Sequence, residues 1–249
     1  MKHRVVMELE IAEPNESLEG ALAAIREVFP LVETAAPLSE LDLIVRFGDE
    51  IDRSTFIMER SPPTDLEAHY KKICETPSDI NEHLPYLRQL STGLSECEFG
   101  CRLGSSTVAL ALDSKSFHSY DIDPRAVKYV RALLQGLISN PDREVNVTEQ
   151  NTLSARFKLP WCDLLFIDSL HTYKQLSAEL AKHHHEVGKY IAFHDTVTFG
   201  EKSEDGTTPG LRQAIQEFMD SAKTYRNEPA WKVLVDRQMN NGLMVIERT

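Results

Sequence analysis

Glycine, acidic residues and histidine follow apolar runs at five points between residues 94 and 195 of the chain. They are Gly100, Asp121, the segment from Glu149 to Asn151, Asp168, and His194 with Asp195. Carboxylates and imidazoles can bind a ligand through charge and hydrogen bonds, and glycine lets the backbone approach one closely. These positions are therefore the first candidates for a binding crevice.

The apolar runs themselves predict the strands that would position these residues. They cover residues 94–99, 117–120, 145–147, 164–167 and 190–193. Strands of a parallel sheet are buried on both faces and read as continuous apolar runs, and ligands bind outside their carboxyl ends. The sequence thus predicts a crevice at one edge of a mostly parallel sheet.

Helical spacing and capping residues between the runs predict the alternating elements of a doubly wound α/β fold. The helices are predicted over residues 64–74, 81–90, 107–112, 126–137, 173–187 and 211–222. Asp123 is the expected cap of the fourth helix, and Gly188 is expected to end the fifth. Residues 231–235 and 243–246 flank Asn240-Asn241-Gly242, a sequence typical of an antiparallel hairpin.

The first 60 residues form a predicted appendage that is separate from a catalytic domain over residues 64–249. Strands over residues 5–11 and 41–47, with a helix over 17–29 behind the Ser17 cap, suggest a small β-α-β unit. The sequence Ser61-Pro62-Pro63 breaks the pattern. The appendage could be a lid, a dimerisation element, a wall of the substrate site or a purely structural part.

Composition excludes several classes of function. The chain has 249 residues and a formal net charge of −12, which disfavours a nucleic-acid partner. Its four cysteines form no C-x-x-C pair, and no segment resembles a secretory leader or a membrane span. We therefore expect a reduced, soluble, cytoplasmic enzyme with a small-molecule substrate, which could form a homo-oligomer.

A glycine turn over residues 98–107 joins the first run of the main sheet to a helix. Gly100 and Gly104 are four residues apart, so the turn is neither the G-x-G-x-x-G dinucleotide motif nor a P-loop. With Glu98 before it and Asp121 ending the next strand, it resembles class I S-adenosylmethionine (SAM)-dependent methyltransferases. The resemblance implies a seven-stranded Rossmann-like fold and SAM as the cofactor. The implied cofactor-binding residues are Glu98, Gly100, Gly104, Ser105, Asp121, Asn151 and Asp168.

Residues 166–173, 190–196 and 241–243 resemble the subgroup with cephalosporin hydroxylase/methyltransferase-like and macrolide-sugar O-methyltransferases. This resemblance covers residues 80–249 and implies O-methylation of a small polar acceptor, such as a sugar or a glycosylated metabolite. In metal-using relatives the ligands map onto Asp168, His194 and Asp195. Those relatives carry an acid at the position of His194, and an imidazole suits a transition metal better than Mg²⁺, so either Mg²⁺ or another divalent metal is a candidate. The candidate catalytic residues are His171, Asp168 and His194, with His171 as a competing general base.

Simpler interpretations remain open for these residues. Asp168 could cap the following helix, His194 and Asp195 could form a turn, and His171 could be structural. The run from His183 to His185 predicts a solvated helix end, and the polar loop over residues 198–209 could act as a lid over the acceptor. The functional alternatives to a methyltransferase are a non-catalytic SAM-binding regulatory or assembly protein and a nicotinamide-dependent oxidoreductase.

Overall fold

The computed structural model describes residues 5–11, 41–47, 63, 65–222 and 230–249, and the chain divides into two compact units, Met1–Arg60 and Ser61–Thr249. In the first unit, strands β1 (Val5–Ile11) and β2 (Leu41–Phe47) pair in parallel. Both strands cover the residues that the sequence predicts. The helix predicted over residues 17–29 lies outside the described residues, and the role of this unit stays a prediction.

The second unit alternates strands with helices, as the pattern of apolar runs predicts. Its elements are α1 (Leu66–Glu75), α2 (Leu84–Ser91), β3 (Ser95–Phe99), α3 (Ser105–Asp113), β4 (Ser116–Asp121), α4 (Pro124–Leu133), α5 (Gln135–Ile138), β5 (Glu144–Glu149), β6 (Cys162–Ile167), α6 (Tyr173–His183), β7 (Val187–His194), α7 (Leu211–Ser221), β8 (Trp231–Arg237) and β9 (Leu243–Arg248). No helix in these described stretches is long and apolar enough to cross a membrane.

The main sheet has seven strands in the order β5-β4-β3-β6-β7-β9-β8. Strands β3 to β7 are parallel, whereas β9 runs antiparallel to both β7 and β8. The chain leaves β3 toward one edge and returns to its other side with β6, so the strand order reverses between these two. Ligands of doubly wound folds bind at such a reversal, and the fold class predicted from the sequence is confirmed.

Strands at the centre of the sheet are buried on both faces, which explains their continuous apolar character. Phe99, Leu165, Ile191 and Phe193 are each no more than 1% exposed. Each fully buried side chain of this size contributes about 1.5–3 kcal/mol relative to an exposed one. The apolar core therefore fixes the strand ends where the candidate residues stand.

Two helix predictions need correction. The helix predicted over 126–137 is divided into α4 and α5, and α6 ends at His183 and not at Val187. Gly188 lies inside β7, where a Cβ atom would come within 2.6 Å of the Trp161 ring. Gly188 thus lies within a strand and packs against Trp161, so it does not mark a helix end.

The expectation of a solvated histidine run is wrong for its first member. His183 is 2% exposed, and its Nε2 lies 2.8 Å from the Thr152 carbonyl oxygen. Its ring makes edge contacts with Phe99 and Phe157. His185 is exposed, as expected for a helix end.

Local signals of helix starts and turns agree with the structure. The Asp123 carboxylate accepts a hydrogen bond from the Arg125 N–H and caps α4. Asn240, Asn241 and Gly242 have φ angles of 41°, 46° and 91°, the left-handed conformation that the hairpin between β8 and β9 requires.

Candidate active site at the carboxyl edge of the sheet

The glycine turn after β3 packs directly against the end of β6. Gly100 has a φ of 86°, and a Cβ atom there would lie 2.2 Å from the Asp168 carbonyl oxygen. Gly104 has a φ of 82°, and a Cβ atom there would lie 2.8 Å from the Leu133 side chain. Both positions require glycine because of backbone conformation and crowding. The turn thus joins the predicted cofactor side of the site to Asp168.

Glu98 lies under this turn and is fully buried. Its carboxylate accepts hydrogen bonds from the hydroxyls of Ser106, Thr107 and Ser119 at 2.6–2.7 Å. Burial raises the pKa of this carboxyl to about 7, although the three hydroxyls oppose the rise. Glu98 therefore clamps the first turn of α3 to β4, and its predicted contact with the cofactor stays a prediction.

Asp121 ends β4 beside the glycine turn. Its Oδ2 accepts from the N–H groups of Cys101 and Arg102 at 2.9 and 3.1 Å, and its Oδ1 accepts from the Asp123 N–H at 2.8 Å. An ionised carboxylate offers about four acceptor positions, so this partly exposed group can accept a further hydrogen bond. The next residue, Ile122, is 68% exposed and offers an apolar surface at the same edge.

The start of α3 and the end of β5 complete the predicted cofactor side. Ser105 begins α3 behind Gly104, and among the described side chains none caps this helix, so the N–H groups of its first turn remain available to a ligand. Asn151 is exposed after β5, and its side-chain oxygen accepts from the Leu153 N–H at 2.8 Å. Its amide nitrogen and the second acceptor position of that oxygen remain for a contact with a ligand.

A polar cluster occupies the ends of β6 and β7. Asp168 Oδ1 lies 3.0 Å from His171 Nε2 and 3.2 Å from His194 Nδ1. Asp195 Oδ2 lies 3.0 Å from His171 Nε2 and 3.6 Å from His194 Nδ1. Four candidate residues that are up to 27 positions apart thus converge on one point. Thr172, and not Asp168, caps α6.

Asp195 is held in an unusual backbone conformation. Its φ of 58° lies in the left-handed region, which is uncommon outside glycine, and the side chain is 7% exposed. Its Oδ1 is buried without a hydrogen-bond partner among the described residues. Asp168, His194 and Asp195 each offer a ligand atom, and these atoms all lie within 4.8 Å of one another. This is a donor set that a metal ion could use.

Asp79, in the segment between α1 and α2, links the two halves of the site. Its carbonyl oxygen lies 3.1 Å from His194 Nε2, and because a carbonyl only accepts, Nε2 carries the proton. Its carboxylate lies 3.3 Å from an Arg102 guanidinium nitrogen in the glycine turn. Sequence reasoning missed Asp79, since it stands outside the apolar pattern and contacts residues distant in the chain.

Glu204 is a second residue that the sequence did not reveal. Its Oε2 lies 2.9 Å from His171 Nδ1, and the backbone N–H of Glu204 donates to the His171 carbonyl at 2.9 Å. Phe199, from the same loop, stacks on the His171 ring with a centroid distance of 5.0 Å. The loop predicted as a lid therefore contacts the polar cluster directly.

The charges of this cluster are mutually dependent. Burial by itself lowers the pKa of both histidines, but the facing carboxylates outweigh it and raise the pKa of His171 to about 10 and that of His194 to about 9. Burial raises the pKa of Asp168, but the two imidazoles outweigh burial and hold that pKa below its usual range. The carboxylates are thus arranged around positive charge.

The comparisons with known proteins agree with this geometry. Residues 97–196, from β3 to the end of the cluster, match a family model described as a methyltransferase domain. The unit that contains these residues has the seven-stranded sheet and the reversal of strand order described above. This unit therefore has the Rossmann-like methyltransferase fold, and its residues 97–196 are similar to a methyltransferase domain. No curated protein matches the chain significantly.

Solved structures share the fold of this chain at low sequence identity. A structural-genomics protein from Corynebacterium glutamicum is 13% identical, with 91% of this chain and 97% of that chain covered and a TM-score of 0.55. An O-methyltransferase from Bacillus cereus, in complex with S-adenosylhomocysteine (SAH), is 18% identical, with 75% and 92% covered and a TM-score of 0.52. Magnesium protoporphyrin IX methyltransferase from Synechocystis PCC 6803, with bound SAM, is 12% identical, with 76% and 86% covered and a TM-score of 0.51.

Proposed function

We propose that the methyltransferase domain transfers a methyl group from SAM to a hydroxyl of a small polar acceptor, such as a sugar or a glycosylated metabolite. The observation that carries this proposal is the convergence of Asp168, His171, His194 and Asp195 directly beside the glycine turn. Transfer to oxygen needs a group that orients and deprotonates a weak nucleophile. This cluster has the chemistry for that task.

The residues around the glycine turn fit SAM. Asp121 retains capacity to accept a hydrogen bond from a ribose hydroxyl, and the first turn of α3 offers N–H groups to a carboxylate. The exposed Ile122 suits contact with an adenine ring. When bound, SAM supplies an electrophilic methyl group whose sulfur keeps the bonding electron pair as the acceptor oxygen attacks.

The residues at the ends of β6 and β7 also fit a divalent cation, which we propose is held by Asp168, His194 and Asp195. The unpartnered Oδ1 of Asp195 and the convergence of the three ligand atoms support this site. The Asp79 carbonyl fixes the proton on His194 Nε2, so Nδ1 is the nitrogen left to bind a metal. One nitrogen and two oxygens favour a first-row transition metal over Mg²⁺.

The residues of this site would have the following roles in methyl transfer. Asp168, His194 and Asp195 would hold a cation that, when bound, would supply Lewis acidity to an acceptor hydroxyl. Phe199 and the loop around Glu204 cover one side of the cluster and limit the access of water. The alternative without a metal, His171 as the general base, requires the neutral imidazole, which the facing carboxylates disfavour because they raise its pKa to about 10.

Calorimetry on the full chain tests the cofactor first. We expect SAH and SAM to bind and NAD not to bind, both with a chelator and with added Mg²⁺ or Mn²⁺. Asp121→Asn should weaken SAH binding about 10- to 100-fold, the value of a hydrogen bond to a charged group. Asp142→Asn, at an exposed turn, is the matched control. Failure of both sulfur ligands to bind would refute the proposal.

Transfer of a labelled methyl group tests the acceptor. The full chain is incubated with methyl-labelled SAM and a panel of free sugars and glycosylated metabolites, and products are analysed by mass spectrometry and NMR. The proposal predicts a methyl ether, and Asp168→Asn should abolish its formation. Label on nitrogen or carbon would contradict O-methylation, and SAH binding without any transfer would favour the non-catalytic alternative.

A further inference from the structure

We propose that His171 is a fourth ligand of the divalent cation and that Glu204 is the residue that orients it. The proposal rests on the cation site under the proposed function and extends it. The completed site has two imidazoles and two carboxylates, a donor set suited to a first-row transition metal. Glu204 would act through His171 and would not touch the cation.

Three of the four imidazole–carboxylate distances in the cluster match those between neighbouring ligands of one metal ion. Metal bonds of about 2.0–2.1 Å separate adjacent ligand atoms by about 2.8–3.4 Å in octahedral or tetrahedral geometry. His171 Nε2 lies 3.0 Å from Asp168 Oδ1 and 3.0 Å from Asp195 Oδ2. His194 Nδ1 lies 3.2 and 3.6 Å from the same two oxygens. Both imidazoles therefore face the same pair of carboxylate oxygens.

Each histidine also has an acceptor for its other ring nitrogen. His194 Nε2 faces the Asp79 carbonyl at 3.1 Å, and His171 Nδ1 faces Glu204 Oε2 at 2.9 Å. Metal-binding histidines almost always donate their second N–H to a carbonyl or carboxylate, which fixes the tautomer and the ring orientation. Two separate segments supply these acceptors, and both leave the remaining nitrogen directed at Asp168 and Asp195.

The loop around Glu204 is built to hold this contact. The Glu204 N–H donates to the His171 carbonyl at 2.9 Å, and the His171 N–H donates to Glu204 Oε2 at 3.3 Å. The Ser203 hydroxyl accepts from the Tyr173 N–H at 2.9 Å and donates to the Pro209 carbonyl. Only 15% of the Glu204 side chain is exposed. Its carboxylate is therefore held next to the ring.

The competing explanation for the same contacts is a metal-free ion pair, with a protonated His171 between Asp168 and Asp195. Nε2 cannot both carry a proton and bind a metal. Both imidazoles face Oδ2 of Asp195, so its buried Oδ1 does not distinguish the two arrangements. Metal binding to the full chain decides between the two.

The experiment uses Mn²⁺ as the probe, since its pulsed electron paramagnetic resonance detects ¹⁴N from bound imidazole. The full chain is stripped with a chelator and titrated with Mn²⁺ by calorimetry. We expect one Mn²⁺ per chain with two imidazole couplings. His171→Gln should leave one coupling and weaken binding at least 100-fold, whereas His185→Gln, at an exposed histidine, should change affinity less than twofold.

Glu204→Gln tests the orienting role separately. Loss of such a partner typically weakens metal binding about 10- to 100-fold, so we expect this loss together with altered ¹⁴N couplings. A residue that only stabilised the loop would leave the couplings unchanged in the folded protein. Glu201→Gln, at an exposed acid in the same loop, is the matched control and should behave like the parent chain.

A single imidazole coupling in the parent chain, or no Mn²⁺ binding, would overturn the proposal. The parent spectrum decides even if the His171 variant fails to fold. SAH binding is measured on the same samples, because its loss would indicate failure of the proposed methyltransferase function. Normal SAH binding with a single imidazole coupling would overturn the fourth ligand alone.

Discussion

At the scale of single residues, the carboxylates at the strand ends differ in what donates to them. Glu98 receives three hydroxyl groups and Asp121 receives three backbone N–H groups, so both fix the glycine turn. Asp168 and Asp195 instead face imidazole nitrogens. The same residue type thus has a structural role on one side of the crevice and a proposed ligand role on the other.

Glu98 should make the stability of the domain depend on pH. Its pKa rises from 4.5 to about 7 on folding, so its contribution is fully present below pH 4.5 and is lost as the pH rises through 7. The loss amounts to about 3 kcal/mol of unfolding free energy. We expect Glu98→Gln to unfold at similar denaturant concentration at pH 5 and to be more stable than the parent at pH 8.

Denaturant unfolding at both pH values measures this difference. Glu96, two residues earlier on β3, has a pKa raised by burial and by the charge of Glu98, so its carboxyl should also make the parent chain less stable as the pH rises. Glu201→Gln is the exposed control and should follow the parent profile. Identical slopes for the parent and Glu98→Gln would show that Glu98 does not titrate in this range.

At the scale of elements, the connection from β3 to α3 depends on contact with the end of β6. The Gly100 N–H donates to the Tyr120 carbonyl at 2.8 Å, and the Asp168 N–H donates to the Phe99 carbonyl at 2.9 Å. These hydrogen bonds extend the pairing of β4, β3 and β6 into the loops that follow the strands. The relative position of the glycine turn and Asp168 is therefore fixed by sheet register.

Two glycines with similar backbone conformations measure the role of this contact. Gly100 and Gly93 have φ angles of 86° and 73°, but a Cβ atom would clash with the Asp168 carbonyl at Gly100 and would meet nothing within 4 Å at Gly93. Gly93→Ala should cost about 1–2 kcal/mol for conformation alone. Gly100→Ala should cost about 1–3 kcal/mol more because of overpacking. Equal losses on denaturant unfolding would contradict the packing argument.

At the scale of the whole molecule, the crevice lies where the strand order reverses, so a ligand there contacts loops from several strands. Such a ligand should stabilise the folded chain through mass action. We expect SAH at a concentration 100 times its Kd to add about 2.7 kcal/mol to the unfolding free energy. For a domain of this size that shifts Tm by about 5–10 °C.

Thermal unfolding of the full chain with increasing SAH measures this linkage. The shift should grow with the logarithm of SAH concentration once the site is saturated, and Asp121→Asn should need more SAH for the same shift. NAD at the same concentrations should leave Tm unchanged. A Tm independent of SAH would argue against binding in the crevice.

The sequence by itself determined the parts of this protein that depend on local order. Continuous apolar runs predicted the five parallel strands. Capping and turn residues such as Asp123 and Gly242 agreed with the structure, because their effects act within a few residues. The α/β order in turn predicted that Asp168 and His194 would meet at one edge. The prediction that Gly188 ends a helix was wrong, because this glycine packs against the ring of Trp161, which is 27 residues away in the chain.

Only the tertiary structure decided which residues surround the two histidines. Glu204 lies 33 residues from His171, and Asp79 lies 115 residues from His194, in segments without a periodic pattern. Loop contacts of this kind depend on how the chain is brought together by the core, and no local preference encodes them. The sequence therefore predicted the edge where chemistry could occur, while the fold determined the charges and hydrogen bonds that orient it.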